Sequence, residues 1–109
     1  MTYYIYRLKK DESLEHLRFY GSRRLKAAGA WPIVPENYEL IYWSTCNNDT
    51  PAASALEGIF TKFNVGHPAD FTHYSLSVGD IVVLRGKESG TFFCDRIGWL
   101  EIPDTFQEE

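Results

Sequence analysis

The stretch Ser75-Leu76-Ser77-Val78-Gly79-Asp80-Ile81-Val82-Val83-Leu84 reads as a turn feeding a strand too apolar to face water on either side. A continuous branched run is stable as a strand only when both faces of its sheet are covered. It therefore marks the centre of a compact β-containing domain. Asp80, directly after Gly79, reads as a turn carboxylate that accepts hydrogen bonds from nearby backbone amides.

Working outward, Gly86 to Gly90 reads as a hairpin loop and Thr91 to Ile97 as the antiparallel return strand. Trp99-Leu100-Glu101-Ile102 forms a short last strand before Pro103. Upstream, Thr50 has the chemistry of an N-cap, with Pro51 at the first helical position. Leu56, Ile59, Phe60 and Phe63 then fall at i, i+3, i+4 and i+7, one face laid on the sheet, until Asn64 and Gly66 end the helix. Tyr38-Glu39-Leu40-Ile41-Tyr42-Trp43 is a second strand, with Tyr38, Leu40 and Tyr42 expected on one face. Trp31-Pro32-Ile33-Val34-Pro35 is excluded from helix by its prolines. Leu14, Leu17, Leu25 and Ala28 define an apolar stripe over residues 14–28, with Ser13 as its cap. Gly21 interrupts that stripe at a cost of about 1 kcal/mol against Ala, so a break falls near Tyr20-Gly21-Ser22. Thr2 to Leu8, rich in Tyr and Ile, is the first strand. The pattern is α+β: two helices packed on a mixed four- to five-stranded sheet with a C-terminal β-hairpin, residues 1–109 forming one domain.

The chain has 109 residues, 44% of them apolar, enough to fold without disulfides or metals. Cys46 and Cys94 show no paired spacing, and Cys94 reads as a small buried residue in a strand. No segment approaches the roughly 20 apolar residues of a membrane span. The N-terminus lacks a basic region ahead of an apolar one, so a soluble cytoplasmic protein is expected. The net charge of −4 hides an asymmetry. Residues 1–28 carry seven basic and three acidic side chains, and residues 29–109 carry four basic and twelve acidic ones. A basic face backed by an acidic body suits phosphate or an acidic protein surface, although an ordinary solvated helix face explains the same charges. The overall acidity argues against strong non-specific duplex binding.

Catalytic signatures are absent: the chain has no phosphate loop, dinucleotide fingerprint, nucleophile elbow or HExxH. His67, Asp70 and His73 form the best metal candidate, a set that suits zinc or non-haem iron if Pro68 opens a helical turn. The alternative is a turn organised by His67 and Asp70 with His73 on the surface, and that alternative leaves no metal. His73, Ser75 and Asp80 contain the residue types of a hydrolytic triad, but nothing presents Ser75 as a nucleophile. Glu39 and Glu57 are the one candidate acid–base pair, unsupported by spacing. Arg23 and Arg24 with Tyr20, together with Tyr3, Tyr4 and Tyr6, form the best candidate for single-stranded nucleic acid, where bases stack on aromatics beside basic groups.

An ordered set of motifs carries a family resemblance. Leu17-Arg18-Phe19, Arg24-Leu25-Lys26-Ala27-Ala28-Gly29 and Pro35-Glu36-Asn37-Tyr38-Glu39-Leu40-Ile41-Tyr42 come first. Leu56-Glu57-Gly58-Ile59-Phe60-Thr61-Lys62-Phe63-Asn64, His67-Pro68-Ala69-Asp70-Phe71 and Ser75 to Leu84 follow. From about Leu17 to Phe106 the chain resembles the YodL-like domain. Two positions depart from that pattern: Tyr74 stands where a His commonly precedes Ser-Leu-Ser, and Gly79 where Ser or Asn is common. The resemblance implies a small cytoplasmic protein of Gram-positive bacteria and their conjugative elements, with no assigned enzymatic activity and no catalytic residues or cofactors to carry over. By analogy with other accessory proteins of mobile elements, the expected function is non-enzymatic binding that inhibits or modulates a host protein or nucleoprotein complex, including restriction or CRISPR machinery. Arg18, Arg23, Arg24 and Lys26 with Tyr3, Tyr4 and Tyr6 are the expected contact surface, and the acidic body acting as a nucleic-acid decoy is the competing one. An RNA or single-stranded DNA binding module and a metal-dependent enzyme at His67, Asp70 and His73 are the alternative functions.

Overall fold

The computed structural model describes residues 1–66 and 68–106. Among these residues, five strands form one sheet: β1 (Thr2–Leu8), β2 (Tyr38–Thr45), β3 (Ile81–Arg85), β4 (Gly90–Cys94) and β5 (Trp99–Ile102). Two α-helices, α1 (Ser22–Ala27) and α2 (Ala52–Val65), accompany 3-10 turns at Glu15–Leu17 and Pro35–Asn37. The fold is α+β, as expected, and β4–β5 is the C-terminal hairpin.

The strand order is β2-β1-β3-β4-β5, and every neighbouring pair is antiparallel rather than mixed. The reason lies in the connection through α2. It returns the chain in the direction of β2, as a helical crossover does, but β3 enters on the far side of β1. The two parallel strands are thus separated by an antiparallel one.

Ile81, Val82, Val83 and Leu84 are fully buried, because both faces of β3 are covered. On one face Tyr3, Ile5, Val82, Leu84 and Phe92 pack under Ala55, Leu56, Ile59 and Phe63 of α2, with Phe71 and Leu76. On the other, Tyr6, Leu8, Ile81, Val83 and Phe93 pack against Leu25 of α1, Tyr38, Ile102 and Phe106. Burying an aliphatic or aromatic side chain contributes roughly 1.5–3 kcal/mol, so these two layers dominate stability.

Several boundaries differ from the sequence reading. β3 starts at Ile81, because Ser77 to Asp80 are taken up by a turn in which Asp80 N donates to Ser77 O and Ser77 N donates to Asp80 Oδ2. The amide-binding role of Asp80 is therefore as read. β4 ends at Cys94, and Ile97 lies exposed in the turn before β5. The apolar stripe over residues 14–28 is broken into a 3-10 turn and α1. Ser13 does not cap it; its amide and hydroxyl both donate to Asp11.

In α2, Pro51 rather than Thr50 occupies the cap position, and Glu88 of the hairpin loop accepts the Ala52 N–H. Ala55 replaces Phe60 in the buried stripe, and Phe60 turns toward Trp99 of β5. In β2 an extra residue, Ile41, bulges between the pairs Ile5↔Tyr42 and Tyr6↔Leu40. A bulge reverses the alternation beyond it. Tyr42 therefore packs beneath α2 against Phe63 and Phe71, whereas Tyr38 packs on the opposite face against Phe106.

Candidate functional site

The Ser77–Asp80 turn at the head of β3 is built around Arg7 of β1. Arg7 Nε and Nη2 donate to Asp80 Oδ1 and Oδ2 at 2.8 and 2.7 Å, and both side chains are buried. The guanidinium also donates to the carbonyls of Tyr74 and Ser75, at 3.0 Å each. Its outer surface is covered by the Tyr74 ring, whose centroid lies 3.6 Å from Arg7 Cζ. Tyr74 remains 42% exposed and meets Phe19 edge-on, at a centroid distance of 5.7 Å. Phe19 is 55% exposed and takes a left-handed backbone conformation with φ 66°. Beneath the two rings is a cavity of only about 10 Å³, room for about one water.

The basic segment adjoins this aromatic pair. Arg23 is exposed, Arg24 stacks on Tyr20 at 4.1 Å, and the Lys26 ammonium lies 5.2 Å from the Trp31 ring. Arg18 is committed elsewhere: it pairs with Glu15 at 2.6 Å and donates to the carbonyls of Leu8 and Lys9. Asp95 fixes the start of α1. It accepts a very short hydrogen bond from Ser22 Oγ and another from Ser22 N at 3.0 Å. Burial pushes the Asp95 carboxyl up, but the bonds from Ser22 and the Arg96 amide outweigh it and hold the group below the usual carboxylate range. A Cβ on Gly21 would lie 2.7 Å from Asp95 Oδ1 and 2.8 Å from Arg96 Cγ, so the helix break permits this close approach.

The expected aromatic half of the surface is corrected. Tyr3 is 1% and Tyr6 8% exposed, because β1 is flanked by β2 and β3 and covered on both faces. Neither ring is available to a partner or to a nucleobase. Tyr4 is half-buried beside the exposed Trp43 on edge strand β2. Phe19 and Tyr74, like Trp43, are exposed aromatics that the sequence reading passed over. The signals were present: Phe19 precedes the Tyr20-Gly21-Ser22 break, and Tyr74 is a departure from the family pattern.

The other chemical candidates come apart. His67 lies outside the described residues. Asp70 accepts a hydrogen bond from the Tyr42 hydroxyl at 3.1 Å, and His73 sits beside the Phe71 ring. Among the described residues, no three His, Cys, Asp or Glu side chains group to hold a metal ion. Asp80 is engaged by Arg7, and the Ser75 carbonyl serves Arg7 and Ser77, so His73, Ser75 and Asp80 form no relay. Glu39 is on edge strand β2. Glu57 lies across the sheet, where Glu57, Glu88 and Glu101 border a groove of about 630 Å³ over Leu56, Phe92 and Trp99. Cys46 and Cys94 are both free. Among the described residues, no helix is long and apolar enough to cross a membrane.

The family model of the YodL-like domain matches residues 2–106, nearly the whole chain. The protein belongs to the YodL-like domain family. The match takes in β1 as well as the motifs from Leu17 onward, and so includes both partners of the Arg7–Asp80 pair. No curated protein and no solved structure matches the chain. Within this YodL-like domain the Tyr74 ring is the cover of the buried guanidinium, and Gly79 has φ 98° with the Tyr20 carbonyl 3.6 Å from where its Cβ would stand.

Proposed function

We propose that this YodL-like protein is a non-enzymatic binding protein that inhibits or modulates a macromolecular partner through Phe19, Tyr74 and the basic side chains Arg23, Arg24 and Lys26. The observation that carries this reading is the backbone of Phe19. A bulky residue at positive φ is an outlier, costing about 1–2 kcal/mol, and the ring so placed gains little burial. Strain of this kind collects at contact and switch regions, and aromatic anchors beside arginines are the usual centres of protein interfaces. The basic rim favours an acidic protein surface as the partner. The mobile-element setting implied by the family resemblance makes host restriction or CRISPR complexes the first partners to test.

The experiment is affinity capture from bacterial lysate containing such complexes, followed by binding and inhibition assays with the purified partner. Phe19→Asn and the pair Arg23→Glu, Arg24→Glu are expected to release the partner while the fold is retained. If both variants bind and inhibit as the wild type does, this surface is not the contact.

A further inference from the structure

β5 is an outer strand of the sheet, paired on one side with β4 and unpaired on the other. Cys94, opposite Trp99, directs its backbone away from β5. Its N–H donates to Asp80 O at 2.8 Å and its carbonyl accepts from Gly79 N at 2.9 Å. Cys94↔Trp99 is therefore a non-hydrogen-bonded pair of the antiparallel ladder, and Phe92↔Glu101, two residues on, is another. The N–H and C=O groups of Trp99 and Glu101 consequently point outward, away from β4. None of them bonds to another described residue.

The side chains of these same two residues line the groove of about 630 Å³ between α2 and the β4–β5 hairpin. That volume lies within the roughly 300–1,000 Å³ of ligand sites. The floor is apolar, made by Leu56, Phe92 and the half-buried Trp99, and Phe60 meets Trp99 edge-on at 6.4 Å. A free strand edge beside such a groove suits an extended peptide, which adds a strand to the sheet and sets alternate side chains into the pocket.

The rim identifies the side chain that enters. Glu57 comes from α2, Glu88 from the hairpin loop and Glu101 from β5, and no basic side chain among the described residues lines the groove. None of the three carboxylates makes an ion pair among the described residues, and Glu88 accepts the Ala52 N–H. Glu101 is set against the floor. A Cβ on Gly90 would lie 2.9 Å from the Phe92 ring and 3.3 Å from Glu101 Oε2, so the absent side chain lets ring and carboxylate meet there. Carboxylates beside aromatic rings attract a cation twice, by their charge and through the ring quadrupole.

We infer that β5 accepts an extended basic segment of a partner protein as an added strand, with an arginine or lysine side chain seated over Trp99 between Glu57 and Glu101. Main-chain bonds to Trp99 and Glu101 dock the segment, and the carboxylates select its sequence. The same carboxylates repel acidic segments, which keeps the edge from pairing with the acidic body of a second copy. This surface is opposite in charge to the face around Phe19 and Tyr74 and stands whether or not that face binds.

The test is a titration of the ¹⁵N-labelled protein with the capped peptide Thr-Val-Arg-Val-Thr and with its counterpart carrying Glu at the centre. The first is expected to give saturable shifts at the amides of Trp99, Leu100 and Glu101, and the second at least tenfold weaker binding. At saturation, amide hydrogen exchange at Trp99 and Glu101 slows at least tenfold, a change that a bound side chain alone would not produce. The double variant Glu57→Gln, Glu101→Gln, at two exposed positions, weakens binding at least tenfold in a folded protein. Non-saturable shifts, equal binding of the two peptides, undiminished binding by the double variant, or unchanged exchange at Trp99 and Glu101 would each overturn the inference. So would shifts centred on β2, the other outer strand of the sheet.

Discussion

Arg7 and Asp80, 73 residues apart in the chain, meet through two parallel hydrogen bonds of 2.8 and 2.7 Å inside the protein. The pair joins the C-terminal end of β1 to the turn that opens β3, and so sets where the buried run Ile81–Leu84 enters the sheet. It also fixes the surface above it. The Tyr74 ring lies on the guanidinium, Phe19 leans on Tyr74, and α1 with its arginines follows directly. A buried ion pair thereby becomes the foundation of an exposed aromatic and basic face.

Removing one partner of such a pair leaves an uncompensated buried charge. Arg7→Met or Asp80→Leu alone is expected to cost about 3–5 kcal/mol, a large share of the roughly 5–15 kcal/mol of a typical domain. The double variant Arg7→Met, Asp80→Leu is expected to recover much of that loss, because neither charge then remains. Urea unfolding followed by tryptophan fluorescence gives the three values. A double variant as unstable as the worse single one would mean that the bonds from Arg7 to the Tyr74 and Ser75 carbonyls matter more than the charge pair.

Phe19 tests whether the surface above is strained. Asparagine tolerates the left-handed region far better than phenylalanine. Phe19→Asn is therefore expected to leave stability unchanged or raise it by up to about 1 kcal/mol, despite the lost edge contact with Tyr74. Phe19→Ala, which loses the ring and keeps the strain, is expected to be the less stable of the two. Thermal melts of the two variants beside the wild type decide the matter.

The parts of the fold that were legible are those whose signal is local. Thr2–Leu8 and Trp99–Ile102 appear at their expected limits, because alternating or branched runs between polar turns specify a strand without outside help. The buried character of Ile81–Leu84 was equally plain, as was the turn role of Asp80. The burial of Tyr3 and Tyr6 depends instead on which strands flank β1, and no local pattern carries that. The Ile41 bulge, which sends Tyr38 and Tyr42 to opposite faces, is a property of register between two strands. Arg7 read as one charge of a basic N-terminal segment, since its partner lies 73 residues away. Gly21 read as a defect in a helix, when it is a point of backbone contact with Asp95.

The C-terminal segment is held by Asp104, which accepts from Arg85 Nη2 at 2.8 Å and from Thr91 Oγ1 at 3.0 Å. The bond from Arg85 holds the Asp104 carboxyl below the usual carboxylate range. A carboxyl whose folded pKa is lowered stabilises the fold fully above its unfolded pKa and loses that contribution as pH falls through the folded value. The stability gap between wild type and Asp104→Asn is therefore expected to be constant near neutrality and to close below about pH 4. Denaturant unfolding of both proteins across that range measures it. A gap that holds to pH 2 would mean that the contribution of Asp104 does not depend on its charge.

The two thiols are expected to react very differently. Cys94 is buried in β4, and burial pushes its pKa up to about 12, so the thiolate is negligible at pH 8. Cys46 is half-buried at the mouth of a cleft beside α2. Ellman's reagent is expected to modify one thiol in the native protein and both in denaturant. Cys46→Ser removes the native reaction, and a Cys46→Ser protein that still reacts promptly would show that β4 opens readily.

Gly21 and Gly58 make a paired prediction, because the same substitution should act in opposite directions at the two sites. A methyl group at Gly21 meets Asp95 Oδ1 at 2.7 Å and Arg96 Cγ at 2.8 Å, so Asp95 must move away from Ser22 and the start of α1 loses its anchor. Overpacking of this kind costs about 1–3 kcal/mol. A methyl group at Gly58 meets nothing within 4 Å and improves an exposed helix interior by up to about 1 kcal/mol. Gly21→Ala is thus expected to lower the melting temperature and Gly58→Ala to raise it. If Gly21→Ala were neutral, the contact between α1 and the β4–β5 turn would be soft enough to yield, and the position of Arg23 and Arg24 would not depend on it.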